Sequence, residues 1–546
     1  MRSAIAALAL GLTGPFWGGQ ATAQPQPFSG LHFVDRTAEA GLKQPIWCGR
    51  ESKPHILESG GSGLALFDYD LDGDLDIYLV NGWRLDGREI VERGRNVLYR
   101  NRGDGRFEEV SESSGTGDDG WGTGVAVADF DGDGTPDLFV ANFGRDVLYA
   151  NRGDGSFDRV EDGPTIDGWS TGAVFFDADS DGDADLYVAA YIDCTEEEVL
   201  NAEPGLLWEG MKVMLGPFGL EGKANRYFEN QAGGRFVERT EEVGLADVGL
   251  FYSFGVAAID LDGDLDLDLY VANDSNPNYL YESQGAGHFQ EVGLWSGAAL
   301  DRKGNAQAGM GLAAGDLDSD GLPDLLVTNF HTDVSTMYRN LGDLLFEDVT
   351  ESLGLREPTY RPLSWGTSFS DLDLDGRLDL FLANGHIYPQ ADRVPETSGT
   401  FQQRNVLLRG GAEGFTDVTT SAGPGLAVVE SSRGLATGDL DGDGDLDLVI
   451  SNMDAPPTLL INESRRSGTW LMVDEPRALR ATVESAERRI VRHRIAGGSY
   501  VSVDDRRFHF GLGQVPKVNR LQLVLRDGKR VDLRDLPVDR LLVFPR

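Results

Sequence analysis

Positive charge is scarce in this 546-residue chain: 48 Lys and Arg face 90 Asp and Glu, a formal net charge of −42. So negative a molecule repels a phosphate backbone, which excludes nucleic-acid binding through a basic surface. Cysteine is nearly absent. Cys48 and Cys194 are the whole supply, so disulfides cannot form the framework; the two can make one bridge or none. Seven His, none closely paired, offer little for transition-metal or general-base chemistry. There is no G-x-S-x-G elbow and no nucleophilic Cys motif. Long apolar runs are missing too. The most apolar stretch is residues 4–12, far short of the roughly twenty residues that cross a bilayer. With Arg2 before it and Ala21-Thr22-Ala23 after it, residues 1–23 read as a cleavable signal peptide. The expected protein is exported and soluble, secreted or periplasmic, in an oxidising compartment that contains calcium. An apolar fraction of 40% and nine Trp exclude wholesale disorder.

What the sequence has in abundance is one pattern, D-x-D-x-D-G-x-x-D, seven times over. Its first, third, fifth and ninth positions are Asp68, Asp70, Asp72 and Asp76; Asp129, Asp131, Asp133 and Asp137; Asp177, Asp179, Asp181 and Asp185; and Asp260, Asp262, Asp264 and Asp268. The last three copies are Asp316, Asp318, Asp320 and Asp324; Asp371, Asp373, Asp375 and Asp379; and Asp439, Asp441, Asp443 and Asp447. Carboxylates this dense repel one another unless a cation neutralises them. Ca²⁺ is the expected partner, being hard, oxygen-seeking and tolerant of six to eight ligands. Positions 1, 3 and 5 project carboxylates into one cavity, position 7 gives its carbonyl, and position 9 closes the site. An EF-hand starts the same way but needs Glu at position 12. That position holds Leu79, Val140, Val188, Val271, Val327, Leu382 and Ile450, which excludes it. The expectation is up to seven Ca²⁺. The fourth loop should be weakest, because Leu265 replaces the turn glycine and a left-handed Leu costs about 1 kcal/mol.

Each Asp loop joins two short apolar runs that read as strands A and B. A third strand, like Asn96-Val97-Leu98-Tyr99-Arg100-Asn101, follows each loop. A fourth opens on Phe107, Phe157, Phe236, Phe289, Phe346 and Phe415, which is one too few. The missing one stands at the other end, where Phe33-Val34-Asp35 has the form of Phe346-Glu347-Asp348. Seven four-stranded repeats with one strand displaced to the N-terminus describe an all-β fold, a seven-bladed β-propeller closed by its N-terminal strand. Composition shifts after Asn462. Residues 463–546 carry a net +7 against −49 for the rest, and alternate as strands. The expected domains are therefore the signal peptide (1–23), the propeller (24–462) and a small C-terminal β module (463–546). Its cluster Arg488, Arg489, Arg492 and Arg494 reads as a solvated or docking face.

The Gly-led strands and Asp loops resemble FG-GAP/VCBS repeats, as in integrin α-subunit propellers. Ala308-Gly309-Met310-Gly311, Thr328-Asn329-Phe330, Asn384-Gly385-His386 and Val271-Ala272-Asn273-Asp274 resemble the cartilage acidic protein family and its bacterial relatives. Ala496-Gly497-Gly498-Ser499-Tyr500 and Phe508-His509-Phe510-Gly511-Leu512-Gly513 resemble that family's ASPIC/UnbV domain. The resemblance implies an extracellular or periplasmic calcium-binding protein used for interaction or adhesion, and implies no reaction. It also sets Leu215-Gly216-Pro217 where the family often has Cys-Gly-Pro, leaving Cys194 either paired with Cys48 or without a partner. Large residues recur at the ends of strands A and B, on the face opposite the Asp loops: Trp121, Trp169, Tyr252, His331, Trp365 and His386. They form either an aromatic rim for a protein or glycan partner or packing between blades. Three functions stay open: an interaction propeller, a glycan-binding propeller, and an extracytoplasmic enzyme working from the channel face.

Overall fold

The computed structural model describes residues 30–217, 219–395, 399–465, 468–486 and 488–544. The segment read as a signal peptide lies outside them. Strands dominate the chain, and the few helices are single turns or little more. The protein is all-β.

Seven antiparallel four-stranded units follow one another, each in the order A-B-C-D. The first is built from Leu64–Phe67, Asp76–Leu79, Val97–Asn101 and Phe107–Glu109. The second uses Trp121–Ala128, Asp137–Gly144, Val147–Asn151 and Phe157–Val160, and it is joined at one corner to the third, where Trp169 pairs with Phe143. In the seventh unit the outer strand is Phe33–Asp35, in register with Thr458–Asn462 through Phe33↔Asn462 and Asp35↔Leu460. The displaced N-terminal strand thus completes the last sheet. Each innermost strand packs against the innermost strand of the next sheet, and the seventh against the first.

A ring of glycines permits this close approach. A Cβ on Gly124 would lie 2.0 Å from the Thr171 carbonyl oxygen, and one on Gly172 would lie 2.2 Å from that of Phe254. This is why the inner strands lead with glycine: no other residue leaves room for the neighbouring backbone.

The C-terminal segment forms two further sheets around their own apolar core of Leu471, Val473, Ala481, Phe510, Leu521 and Leu523. One excursion leaves this core and enters the space between the inner strands. Ala496–Gly497 pairs with Ala257 and Ala258 of the fourth sheet. Ser499 exchanges backbone hydrogen bonds with Leu312 of the fifth, and Val503 with Leu64 and Leu66 of the first. The Ser499 hydroxyl donates to the Leu435 carbonyl of the seventh at 2.8 Å. The Ala-Gly-Gly-Ser-Tyr stretch is a finger whose backbone is satisfied by several sheets at once.

Candidate metal centres in the aspartate loops

Every Asp loop connects an A strand to its B strand and repeats one geometry. The residue at position 6 is left-handed throughout: Gly73, Gly134, Gly182, Gly321, Gly376 and Gly444 have φ between 90° and 102°, and Leu265 stands at 80°. The strain expected at Leu265 is therefore present. Sequence reading missed a second left-handed position, position 4, where Leu71, Ser180 and Leu374 have φ of 61°, 64° and 58°. The carboxylate at position 1 accepts the position-6 N–H, as from Gly134 to Asp129 (2.9 Å) and Gly376 to Asp371 (2.9 Å).

These turns gather oxygens. Ligand atoms of Asp68, Asp70 and Asp76 lie within 4.8 Å of one another, as do those of Asp129, Asp131 and Asp137, and of Asp177, Asp179 and Asp185. In the fourth and fifth loops the gathered residues are Asp260, Asp262 and Asp264, and Asp316, Asp318 and Asp320. Several oxygens are buried with no hydrogen-bond partner: Asp70 Oδ1, Asp177 Oδ1, Asp260 Oδ2, Asp316 Oδ1 and Asp371 Oδ1. Buried carboxylate oxygens without donors are costly unless a cation supplies the missing interaction. The donor set is all oxygen and anionic, which fits a hard divalent cation such as Ca²⁺.

Position 9 does more than close the site. Asp137 accepts N–H groups from Phe130 in its own loop (2.9 Å) and from Asn151 at the end of strand C (2.8 Å), and all seven copies repeat the arrangement. Burial pushes Asp76 up to about 8 and Asp137, Asp185 and Asp324 to about 7, against the pull of those two donors. Asp268, Asp379 and Asp447, the most buried, are raised well above the ordinary carboxylate range for the same reason.

A set of asparagines, also missed, ties the loops to one another. The Asn151 amide donates to Pro136 O in its own loop (2.9 Å) and to Tyr69 O in the first loop (2.8 Å). Asn230 reaches Phe130 of the second loop, Asn340 reaches Leu261 of the fourth, and Asn462 reaches Leu372 of the sixth. Asn101 reaches Leu440 of the seventh loop, linking the first sheet to the last. The available signal was an Asn closing strand C in five repeats, replaced by Ser283 in the fourth and Gly410 in the sixth.

The aromatic rim needs correction. Trp121 and Trp169 are each 1% exposed and Trp365 is 3% exposed. They share one apolar cluster with Tyr191, Phe254 and Met310, which closes the side of the sheets away from the Asp loops. Tyr500 from the finger completes it, 4.8 Å from Trp365 between ring centroids, and donates its hydroxyl to Gly60 O. His386 is fully buried, pushed down to about 3 by desolvation, and His331 is buried beside it. Only Tyr252 keeps partial exposure. Large apolar rings face inward here because the finger gives them something to pack against, so they offer no rim to a partner. The two cysteines are both free thiols. Cys48 is buried with its Sγ 3.2 Å from Glu58 O, and Cys194 packs at the edge of the same cluster.

Comparison with known proteins agrees with this repeat architecture. The FG-GAP-like repeat family matches residues 68–140, 129–188, 260–327 and 316–382, and the FG-GAP repeat matches 432–464. The family named ASPIC and UnbV matches residues 478–546. The chain is an FG-GAP-repeat protein with a C-terminal ASPIC/UnbV domain. Cartilage acidic protein 1 of Xenopus tropicalis is 28% identical over 279 residues, covering 48% of this chain and 40% of the relative. Its Homo sapiens counterpart is 25% identical over 281 residues, covering 48% and 39%. These relatives support kinship with the cartilage acidic protein family, and the chain spans about two fifths of their length. Among solved structures, an Agrocybe aegerita lectin that recognises terminal N-acetylglucosamine aligns over 71% of this chain and 88% of its own, at 15% identity and a TM-score of 0.36. A likeness that loose decides nothing about this FG-GAP protein.

Proposed function

We propose that this FG-GAP protein is an exported, calcium-stabilised interaction module. Its seven sheets are the blades of a propeller (24–462) closed by the N-terminal strand, and 463–546 is a second domain seated on it. The single observation that carries the calcium reading is the set of buried, partnerless carboxylate oxygens gathered in the Asp loops. Ca²⁺ acts here as a structural ion, with positions 1, 3, 5 and 9 as its carboxylate ligands. Blade four, strained at Leu265, is the weaker of the loops that bind it.

Export is supported by the leader sequence, and among the described residues no helix is long and apolar enough to cross a membrane. With the aromatic rings buried, the third-blade insertion still exposes large apolar side chains, Leu206, Leu207 and Leu215. We assign a protein partner to that insertion; a glycan partner is the competing outcome.

Thermal melts in millimolar calcium and in EDTA test the first part. A melting temperature unchanged by EDTA refutes it. Affinity capture from the native secretome, alongside a glycan array, tests the second. Retention of glycans rather than protein would overturn the choice of partner.

A further inference from the structure

The seven loops share one motif but differ in the cations the chain brings to them. Among the described residues no salt bridge reaches the second or fourth loop. One arginine touches the first, Arg100 on Asp70 at 3.2 Å, and one touches the fifth, Arg339 on Asp318 at 3.5 Å. In the third loop Arg526 of the C-terminal domain lies 3.1 Å from Asp177. The sixth loop is different. Arg409, on its own C strand, pairs with Asp373 at 2.7 Å and with Asp375 at 3.2 Å. Arg492 of the C-terminal domain stands 3.9 Å from Asp371. Arg488 of the same domain donates to the Asp375 carbonyl. Here one guanidinium, Arg409, binds the carboxylates at positions 3 and 5, and Arg492 stands near the one at position 1, whose Oδ1 makes no hydrogen bond.

We infer that the sixth loop, although its motif is intact, is not a calcium site: arginines take the place of the ion and turn the loop into a latch for the C-terminal domain. The inference rests on the calcium reading of the other loops and adds which loop departs from it. Two ligands already held by Arg409, at positions 3 and 5, must be released before a divalent ion can enter. The cationic groups also crowd the pocket with charge of the ion's own sign. A guanidinium fork matches carboxylate geometry and is weakly hydrated, so it suits a part-buried ion pair better than lysine would. The consequence is a division of labour. Loops whose carboxylates at positions 3 and 5 are not both bound by arginine take calcium, and the sixth binds residues 488–492 instead.

Full-length protein crystallised in calcium, with an anomalous difference map at long wavelength, tests this directly. The expected map has peaks at loops one, two and four and none between Asp371, Asp373 and Asp375. A peak in the sixth loop overturns the inference and leaves the calcium reading standing. No peak in any loop overturns both. Native mass spectrometry of Arg409→Ala combined with Arg492→Ala should count one more bound calcium than the parent. Arg409→Lys in the same assay separates charge from shape, because it keeps the cation and should gain no ion. An unchanged count in the double variant, in protein that melts cooperatively, refutes the latch.

Discussion

Asn151→Ala probes how the loops are tied together. The side chain is 2% exposed, and its amide holds two carbonyls, Tyr69 O at 2.8 Å in the neighbouring loop and Pro136 O at 2.9 Å in its own. Its Oδ1 also accepts the Gly153 N–H at 2.9 Å, a group near enough to the surface to be rehydrated. Truncation strands two buried carbonyls, at roughly 1–3 kcal/mol each. The expected loss is about 3 kcal/mol, read as a lower denaturant midpoint at constant slope in calcium-saturated buffer. Asn151→Asp sharpens the test. It keeps the shape and the acceptor but turns an oxygen toward both carbonyls, so it should cost more than alanine. Ser283→Ala, at the same place in the fourth repeat, is the control. That hydroxyl serves only its own turn, accepting from Gly285 N at 3.3 Å, and its loss should cost under about 1 kcal/mol. If Asn151→Ala costs no more than Ser283→Ala, or if Asn151→Asp is tolerated, the asparagines are not what ties loop to loop.

Stability in EDTA should fall as pH rises. Buried acids raised to about 7 or 8, such as Asp137 and Asp76, bind protons more tightly folded than unfolded. Their contribution is complete below the ordinary carboxylate pKa and is lost as pH climbs through those values. Calcium should flatten the decline, and melts between about pH 5 and 8 with and without the ion check this. Leu265→Gly should stabilise by about 1 kcal/mol by relieving a left-handed side chain, whereas Gly134→Leu in the second loop should destabilise by a similar amount. Calcium titrations followed by denaturation check both. Alkylation without reductant should label both cysteines after unfolding and neither readily before, since burial pushes Cys48 up to about 11 and Cys194 to about 12. A single oxidised pair by mass would refute free thiols.

The sequence alone determined the repeat, because each repeat is a local object. An Asp-rich turn between two apolar pentads depends on residues nine apart, and carboxylates at alternate positions gather wherever the chain turns that tightly. The displaced strand was legible by arithmetic: six Phe-led strands inside, and a seventh at Phe33, which the structure pairs with Asn462. The left-handed strain at Leu265 followed from the one missing glycine.

Tertiary structure decided whatever depends on residues hundreds of positions apart. Nothing near Asp371 announces Arg492, and nothing near Asp177 announces Arg526. The tryptophans could have faced a partner until Tyr500 arrived from the far end of the chain to pack on Trp365. The basic tail read as a solvated or docking face, and only the fold showed which, because sequence shows charge without showing what it meets. A motif fixes how a loop folds and which atoms it gathers. The counter-charge that satisfies those atoms comes from whatever the fold brings within a few ångströms, and that neighbour is set by topology rather than by spacing along the chain.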